Sequence, residues 1–469
     1  MKDVHKSVWL LWIGTIVILA VLLISHTYND IVITTRHGLN FWDILLEGKI
    51  LAFYDLNITK SGNAFYTTEQ SCAYNILLYI VFALWNFPLY LLERFANVDV
   101  MNNIACLVYA KLLPLTAMIA TALIVKKILE ALHVPQSQHN LILYLYISSS
   151  LMVTVVFITA QYDVLSLIFQ LLGVYAFIKG NDRRFVIWFG IAFCFKFFAL
   201  VIFIPLMLLR YKKVFQWVKC LAAVIAIWIP TQLPFWIYEA FLKSTNTIAD
   251  GGGSFAVWLL KCMLISSNFQ SVLNIFIVVY AAIALWCYLQ EYDSGVFAYK
   301  SIWACFAAYA AFFGLMDANP YWSVLLAPFV TLVIAMSPKH LYVNTLLEMI
   351  GYAGLIGVNM LKYTWVYFGN TLKPMVWSIF LRGTRFSTGL ENSLISNILA
   401  VLSSHEELYP TVNSVFVAAI LALAYLTYPR DRGCMAQKYP NLKEYQDVIV
   451  LRFFVNAMIC LMPIIAIFV

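Results

Sequence analysis

Apolar runs of membrane-crossing length recur along the whole chain, broken by short polar stretches. The first is residues 8–25, and runs at 103–125, 140–159, 164–179 and 214–237 follow. More lie at 271–290, 300–316, 321–336, 341–359, 411–428 and 448–468, with a pair near 364–381 and 392–404. A hydrocarbon core of ~30 Å takes about 20 helical residues, so the pattern predicts roughly 12–14 membrane segments. None shows the polar–apolar alternation of a barrel strand, and each span must satisfy its own backbone hydrogen bonds. The expected class is an all-α polytopic membrane protein.

One stretch departs from the pattern. After the first span the chain reads Tyr28-Asn29-Asp30-Ile31-Val32-Ile33-Thr34-Thr35-Arg36-His37, and polarity persists to about residue 73. Residues 26–73 are thus the expected first extracytoplasmic loop. Within it, residues 38–55 have amphipathic helical spacing, which would rest Phe41, Leu45, Leu46, Ile50 and Phe53 on the bilayer surface.

The charges set the topology. Lys126-Lys127 places the end of 103–125 inside, so 140–159 leads outward to Gln161-Tyr162-Asp163. Residues 164–179 return to Lys179, Arg183 and Arg184 on the inner side, which puts the Gln-Tyr-Asp turn on the same face as the first loop. Two segments resist a single crossing. Residues 74–92 read as interfacial or re-entrant, broken near Pro88, with a plain second span as the alternative. Residues 185–209 have basic clusters at both ends and Lys196 near the middle; a re-entrant hairpin with Lys196 near its tip keeps both clusters inside.

Composition agrees. The chain of 469 residues is 63% hydrophobic and 11% charged, which excludes an ordinary soluble domain. Its net charge of +7 comes from loop Lys and Arg that anchor topology, so no nucleic-acid partner is expected. Most of the nine cysteines lie at apolar positions and suggest no disulfide framework. Lys2 and Lys6 precede the first run without a small-residue cleavage site after it, as in an uncleaved anchor with a cytoplasmic N-terminus.

Candidate chemistry gathers on the outer face. Asp30 leaves the first span directly and is either a general base or a solvated flanking acid. Arg36, His37 and Asp43 lie in the same loop as supporting residues. Lys111 and Lys196 sit in apolar runs, where a lysine costs about 2.5–3.5 kcal/mol and needs a partner. A phosphate is one such partner, and snorkelling is the alternative for Lys111. Asp163 could bind a sugar hydroxyl or cap the next helix. A second polar break, Met316-Asp317-Ala318-Asn319-Pro320-Tyr321-Trp322, faces the same side. The chain lacks a GxxxxGK[ST] loop, HExxH and paired CxxC, and its seven histidines have no metal-ligand spacing. No cofactor is expected, and a divalent metal stays open.

Three stretches together resemble the GT-C superfamily of membrane glycosyltransferases. They are Asp30 with Arg36-His37 and the following 42–54 segment containing Gly48, then QYDVLSLIFQLLGVYAFIKGNDRRFVIWFGIAFCFKFFALVIFIPLML (161–208), and ANPYWSVLLAPFVTL (318–332). The last is similar to the Gln-Tyr-x-x-Trp…Pro segment of polyprenyl-phosphate-mannose-dependent mannosyltransferases. The resemblance covers about residues 1–335 and implies a GT-C-like catalytic module there, with 336–469 as a variable C-terminal module. It implies inverting transfer of a hexose, mannose or similar, from a polyprenyl-phosphate donor to a hydroxyl on a glycan or lipid acceptor. Asp30 would be the base. Lys111, Gln161, Asp163, Lys196 and Tyr321 would bind the donor phosphate and sugar. The early acid is a lone Asp rather than an Asp-Glu or Asp-x-Asp pair, and Asn319-Pro320 replaces the usual residues before Tyr321. A bacterial plasma membrane is the first expectation for location and the ER membrane the second. The rival class is a multi-pass transporter or flippase for an amphipathic or glycolipid substrate, but no internal repeat supports it.

Overall fold

A computed structural model describes residues 2–59, 70–236, 268–269, 273–291, 296–316, 318–363, 371–379, 393–405, 407–429 and 445–468. The polar stretch 238–255 with Gly251-Gly252-Gly253, which the sequence predicts as a loop after the run 214–237, lies outside them, as do Asp317, Arg382 and Arg385.

Helix α1 (Lys2–Ser25) carries the first apolar run and stops where β1 (His26–Tyr28) begins. Backbone leaving a helix in an apolar setting must find new partners. Here β1 pairs antiparallel with Leu372–Pro374, Thr27 opposite Lys373. The pairing is extended by Met375 N–H to Ser25 O at 2.8 Å and Asn29 N–H to Thr371 O at 2.9 Å.

Helix α2 (Asn29–Leu46) follows at once. This corrects the amphipathic helix expected at 38–55: the helix starts nine residues earlier and places Asp30 in its first turn. It ends at Gly48, whose φ of +71° needs a residue without a Cβ. Gly48 N–H bonds Leu45 O and Lys49 N–H bonds Ile44 O, closing a Schellman motif. The expected bilayer contact is also corrected in part. Phe41 and Phe53 are buried against Tyr54 and Tyr79, while Leu45 and Leu46 stay exposed.

After the short α3 (Phe53–Leu56), the floor under α2 is α4 (Ile76–Trp85), which bends by 61° into α5 (Phe87–Ala96). The break falls at Asn86, and Pro88 sits in the first turn of α5, where its missing N–H costs nothing. Gly38 permits the close approach of α2, since a Cβ there would stand 2.9 Å from the Phe82 backbone carbon.

Next come α6 (Ile104–Ala131), α7 (Gln136–Ile147) and α8 (Ser150–Met152), which runs into a π-helical segment, Val153–Ile158. Then α9 (Val164–Ile178), α10 (Asp182–Phe195), α11 (Ala199–Arg210) and α12 (Val214–Gln232) follow. α10 and α11 form a hairpin: Arg210 at its far end reaches back to Asp182 at its start, 2.7 Å apart. Lys196, extended at φ −155°, breaks the helix at the hairpin's tip.

Among the described residues, five unbroken helices are long and apolar enough to cross a membrane, or up to seven spans if each of two bent pairs counts as one. Several expected spans are shorter. Helix α9 has 15 residues, about 22 Å at 1.5 Å per residue, less than the ~30 Å hydrocarbon thickness.

Residues on either side of the expected boundary at 335 touch one another. The last helix, Gln446–Phe468, packs along α1. Its buried Arg452 forms a bidentate pair with Glu348, donates to Ser148 Oγ at 2.8 Å and also reaches the Leu145 carbonyl.

Candidate functional site

The first turn of α2 meets the Gln161-Tyr162-Asp163 turn. Asp30 and Thr34, four residues apart, share one face of α2. Gln161 Nε2 donates to Asp30 Oδ2 at 2.9 Å, and Thr34 Oγ1 donates to Tyr162 OH at 3.1 Å. The Tyr321 hydroxyl lies close enough to the Asp30 carboxylate to lower its pKa. Tyr321 is itself held by Asn319 Nδ2 at 3.2 Å. Its ring stands 6.4 Å from that of Tyr28.

Backbone strain shapes the turn. Two residues past the π-helical segment, Ala160 has φ +47°, and Gln161 N–H bonds back to Val155 O at 3.0 Å. An alanine in the left-handed region costs energy that the surroundings must offset, and such positions cluster at functional sites.

Asp163 makes no capping bond to α9. Its Oδ1 instead meets Lys196 Nζ at 2.6 Å, with both side chains buried. Its other oxygen, Oδ2, has no hydrogen-bond partner among the described residues. The Lys196 ammonium lies 5.1, 5.5 and 5.8 Å from the ring centres of Trp322, Tyr74 and Phe198. Aromatic faces attract a cation and are worth more when water is excluded.

Five expected residues thus come together: Asp30, Gln161, Asp163, Lys196 and Tyr321. Burial raises the Asp30 pKa above its ordinary value, and the Asp163 charge adds to the rise. The Gln161 bond, Lys196 and the Tyr321 hydroxyl oppose it without cancelling it. Asp30 as a whole residue keeps partial exposure.

Lys111 does not join them. Its ammonium is fully buried and donates to the carbonyls of Leu23, His26 and Phe157 at 2.6, 2.5 and 3.2 Å. All three donors are used where α1 ends, so the expected phosphate contact is corrected: Lys111 closes the break between α1 and β1. It does not snorkel either.

The three loop residues fasten α2. Arg36 pairs with Glu93 at 2.5 Å, and Asp43 accepts from Tyr90 OH at 2.8 Å, tying α2 to α5. His37 is buried and meets Gln70 O at 3.1 Å. Burial lowers its pKa to about 4, so it is neutral at physiological pH.

Sequence reasoning passed over Tyr74, Phe198 and Trp322. Trp322 lay in a stretch already singled out, but nothing in sequence brings Tyr74 to Lys196. Among the described residues, no group of three His, Cys, Asp or Glu could hold a metal ion.

No family model, curated protein or solved structure matches this chain. The chemistry of the site is therefore read from its own geometry, and the cationic cradle expected for a phosphate comes down to Lys196.

Proposed function

We propose that the protein is an integral-membrane glycosyltransferase that moves a hexose from a polyprenyl-phosphate donor to a hydroxyl acceptor, with Asp30 as the base. One observation carries the reading. Asp30 is held by a neutral donor, Gln161, beside the Tyr321 hydroxyl, while the nearby cation Lys196 is paired with Asp163. A carboxylate with neutral partners in a partly buried setting keeps its affinity for a proton, as a base needs.

In this scheme the acceptor hydroxyl gives its proton to Asp30, and its oxygen attacks the anomeric carbon. The bond from that carbon to the phosphate oxygen breaks, and the phosphate leaves with the electron pair. Attack from the opposite side inverts the configuration. Lys196 then offsets the charge growing on the phosphate, in a dry setting where the interaction is stronger than in water.

The test is a transfer assay in proteoliposomes with several labelled polyprenyl-phosphate hexoses and membrane-extract acceptors. Asp30→Asn should lose transfer by about 10²–10⁴-fold while donor binding persists. Near-normal turnover in that variant rejects Asp30 as the base.

A carrier is the second reading, favoured by the buried Asp163–Lys196 pair, since buried charge pairs also mark transport pathways. Movement of the sugar lipid across the bilayer without a transfer product would support it.

A further inference from the structure

Far from Asp30, a cavity of about 260 Å³ opens between three elements. They are the first turn of the helix Phe297–Leu315, the 336–340 connection, and the end of the helix Leu408–Leu426. Tyr299, Thr427 and Tyr428 line it together with the basic residues Lys339 and His340. Lys339 is exposed and makes no ion pair among the described residues.

The cavity lies at the basic end of the molecule. Helix α9 carries the chain away from Asp163 to Lys179, about 22 Å, and Arg210 joins that end. Lys212 Nζ reaches Tyr288 O at 2.6 Å, and Trp286, two residues earlier, donates to Tyr428 OH at 3.0 Å. Tyr299 OH reaches Leu132 O, just past the end of α6. By the positive-inside rule this is the cytoplasmic face, where anionic lipids collect.

The mouth also meets lipid. Tyr425 is 66% exposed, and Leu421, one turn deeper on the same helix face, is 64% exposed. Trp286, Trp303 and Tyr428 pack together beside it, like an aromatic belt at the headgroup level. A cation at the cavity and an apolar track beside its opening match a phosphate attached to acyl chains.

We propose that this cavity holds the headgroup of an anionic phospholipid from the surrounding bilayer, with Lys339 on the phosphate and the chains along Leu421 and Tyr425. The assignment is independent of the Asp30 chemistry.

The experiment is native mass spectrometry of the protein released from nanodiscs of phosphatidylglycerol or phosphatidylcholine. The wild type should retain one more phosphatidylglycerol than Lys339→Gln, with about tenfold weaker apparent binding in the variant. Lys213→Gln, an exposed basic residue outside the cavity, should behave as wild type. Equal retention in wild type and Lys339→Gln overturns the proposal, as does equal retention of phosphatidylcholine. Equal thermal stabilisation by free glycerol phosphate also overturns it, because the site would then take a soluble anion.

Discussion

A single carboxylate concentrates the chemistry, and its partners decide what it can do. Asp30 accepts a hydrogen bond from Gln161 beside the Tyr321 hydroxyl, and Lys196 belongs to Asp163. Because its pKa is raised, the acid limb of a kcat/KM profile should lie above the ordinary 3.8. As the proposed base Asp30 must be ionised, so activity should fall as pH drops through the raised value; a limb at or below 3.8 would show that Asp30 does not titrate in the rate. The Asp163–Lys196 pair makes a separate prediction. Lys196→Met strands a buried carboxylate and should cost about 3–5 kcal/mol, most of it recovered when Asp163→Asn is added. Thermal unfolding in detergent reads both. No recovery in the double variant would mean that the lysine acts through its aromatic neighbours Trp322, Tyr74 and Phe198.

At the scale of elements, α2 is the part that carries Asp30 to the turn. It is gripped along its length by Thr34 on Tyr162, Arg36 on Glu93 and Asp43 on Tyr90, with Gly38 against α4. Gly38→Ala would meet backbone rather than a yielding side chain, so α2 must lift from α4. A displacement of about 1 Å at a reacting group can cost about 100-fold, so a large loss of transfer with little change in Tm is expected. Unchanged transfer in this variant would show that the α2–α4 contact does not set the position of Asp30. The hairpin of α10 and α11 does for Lys196 what α2 does for Asp30. Tyr309 OH bonds Gln170 Oε1 at 2.6 Å and lies 3.1 Å from the Phe198 carbonyl, which pins the hairpin tip to the helix Phe297–Leu315.

Across the whole molecule, the two ends of the chain are fastened to one another. β1 pairs with Leu372–Pro374, and the last helix packs along α1 with Arg452 on Glu348 and Ser148. Arg452→Met would leave Glu348 buried and unpaired, a loss of about 3–5 kcal/mol. Replacing both Arg452 and Glu348 by Met should restore stability to near wild type, measured by thermal unfolding. Equal stability of the single and double variants would remove the pair from the forces that hold the C-terminal helix.

The sequence by itself determined the class. Hydrophobic runs report whether a segment prefers lipid to water, and that preference is local. It also picked out Asp30, Gln161, Asp163, Lys196 and Tyr321, because a polar group in an apolar run is conspicuous wherever it points. The break between α4 and α5 and the hairpin around Lys196 were legible from proline and from charges on both flanks. Tertiary structure alone decided which charges meet. Whether Lys111 faces a ligand or three carbonyls depends on where α1 ends against α6 and the π-helical segment, 85 and 46 residues away. The β1 pairing, the strained Ala160 and the Arg452–Glu348 clasp likewise depend on partners distant in sequence. Hydropathy is a property of one residue, whereas an ion pair is a property of two, and only the packed chain brings the second one near.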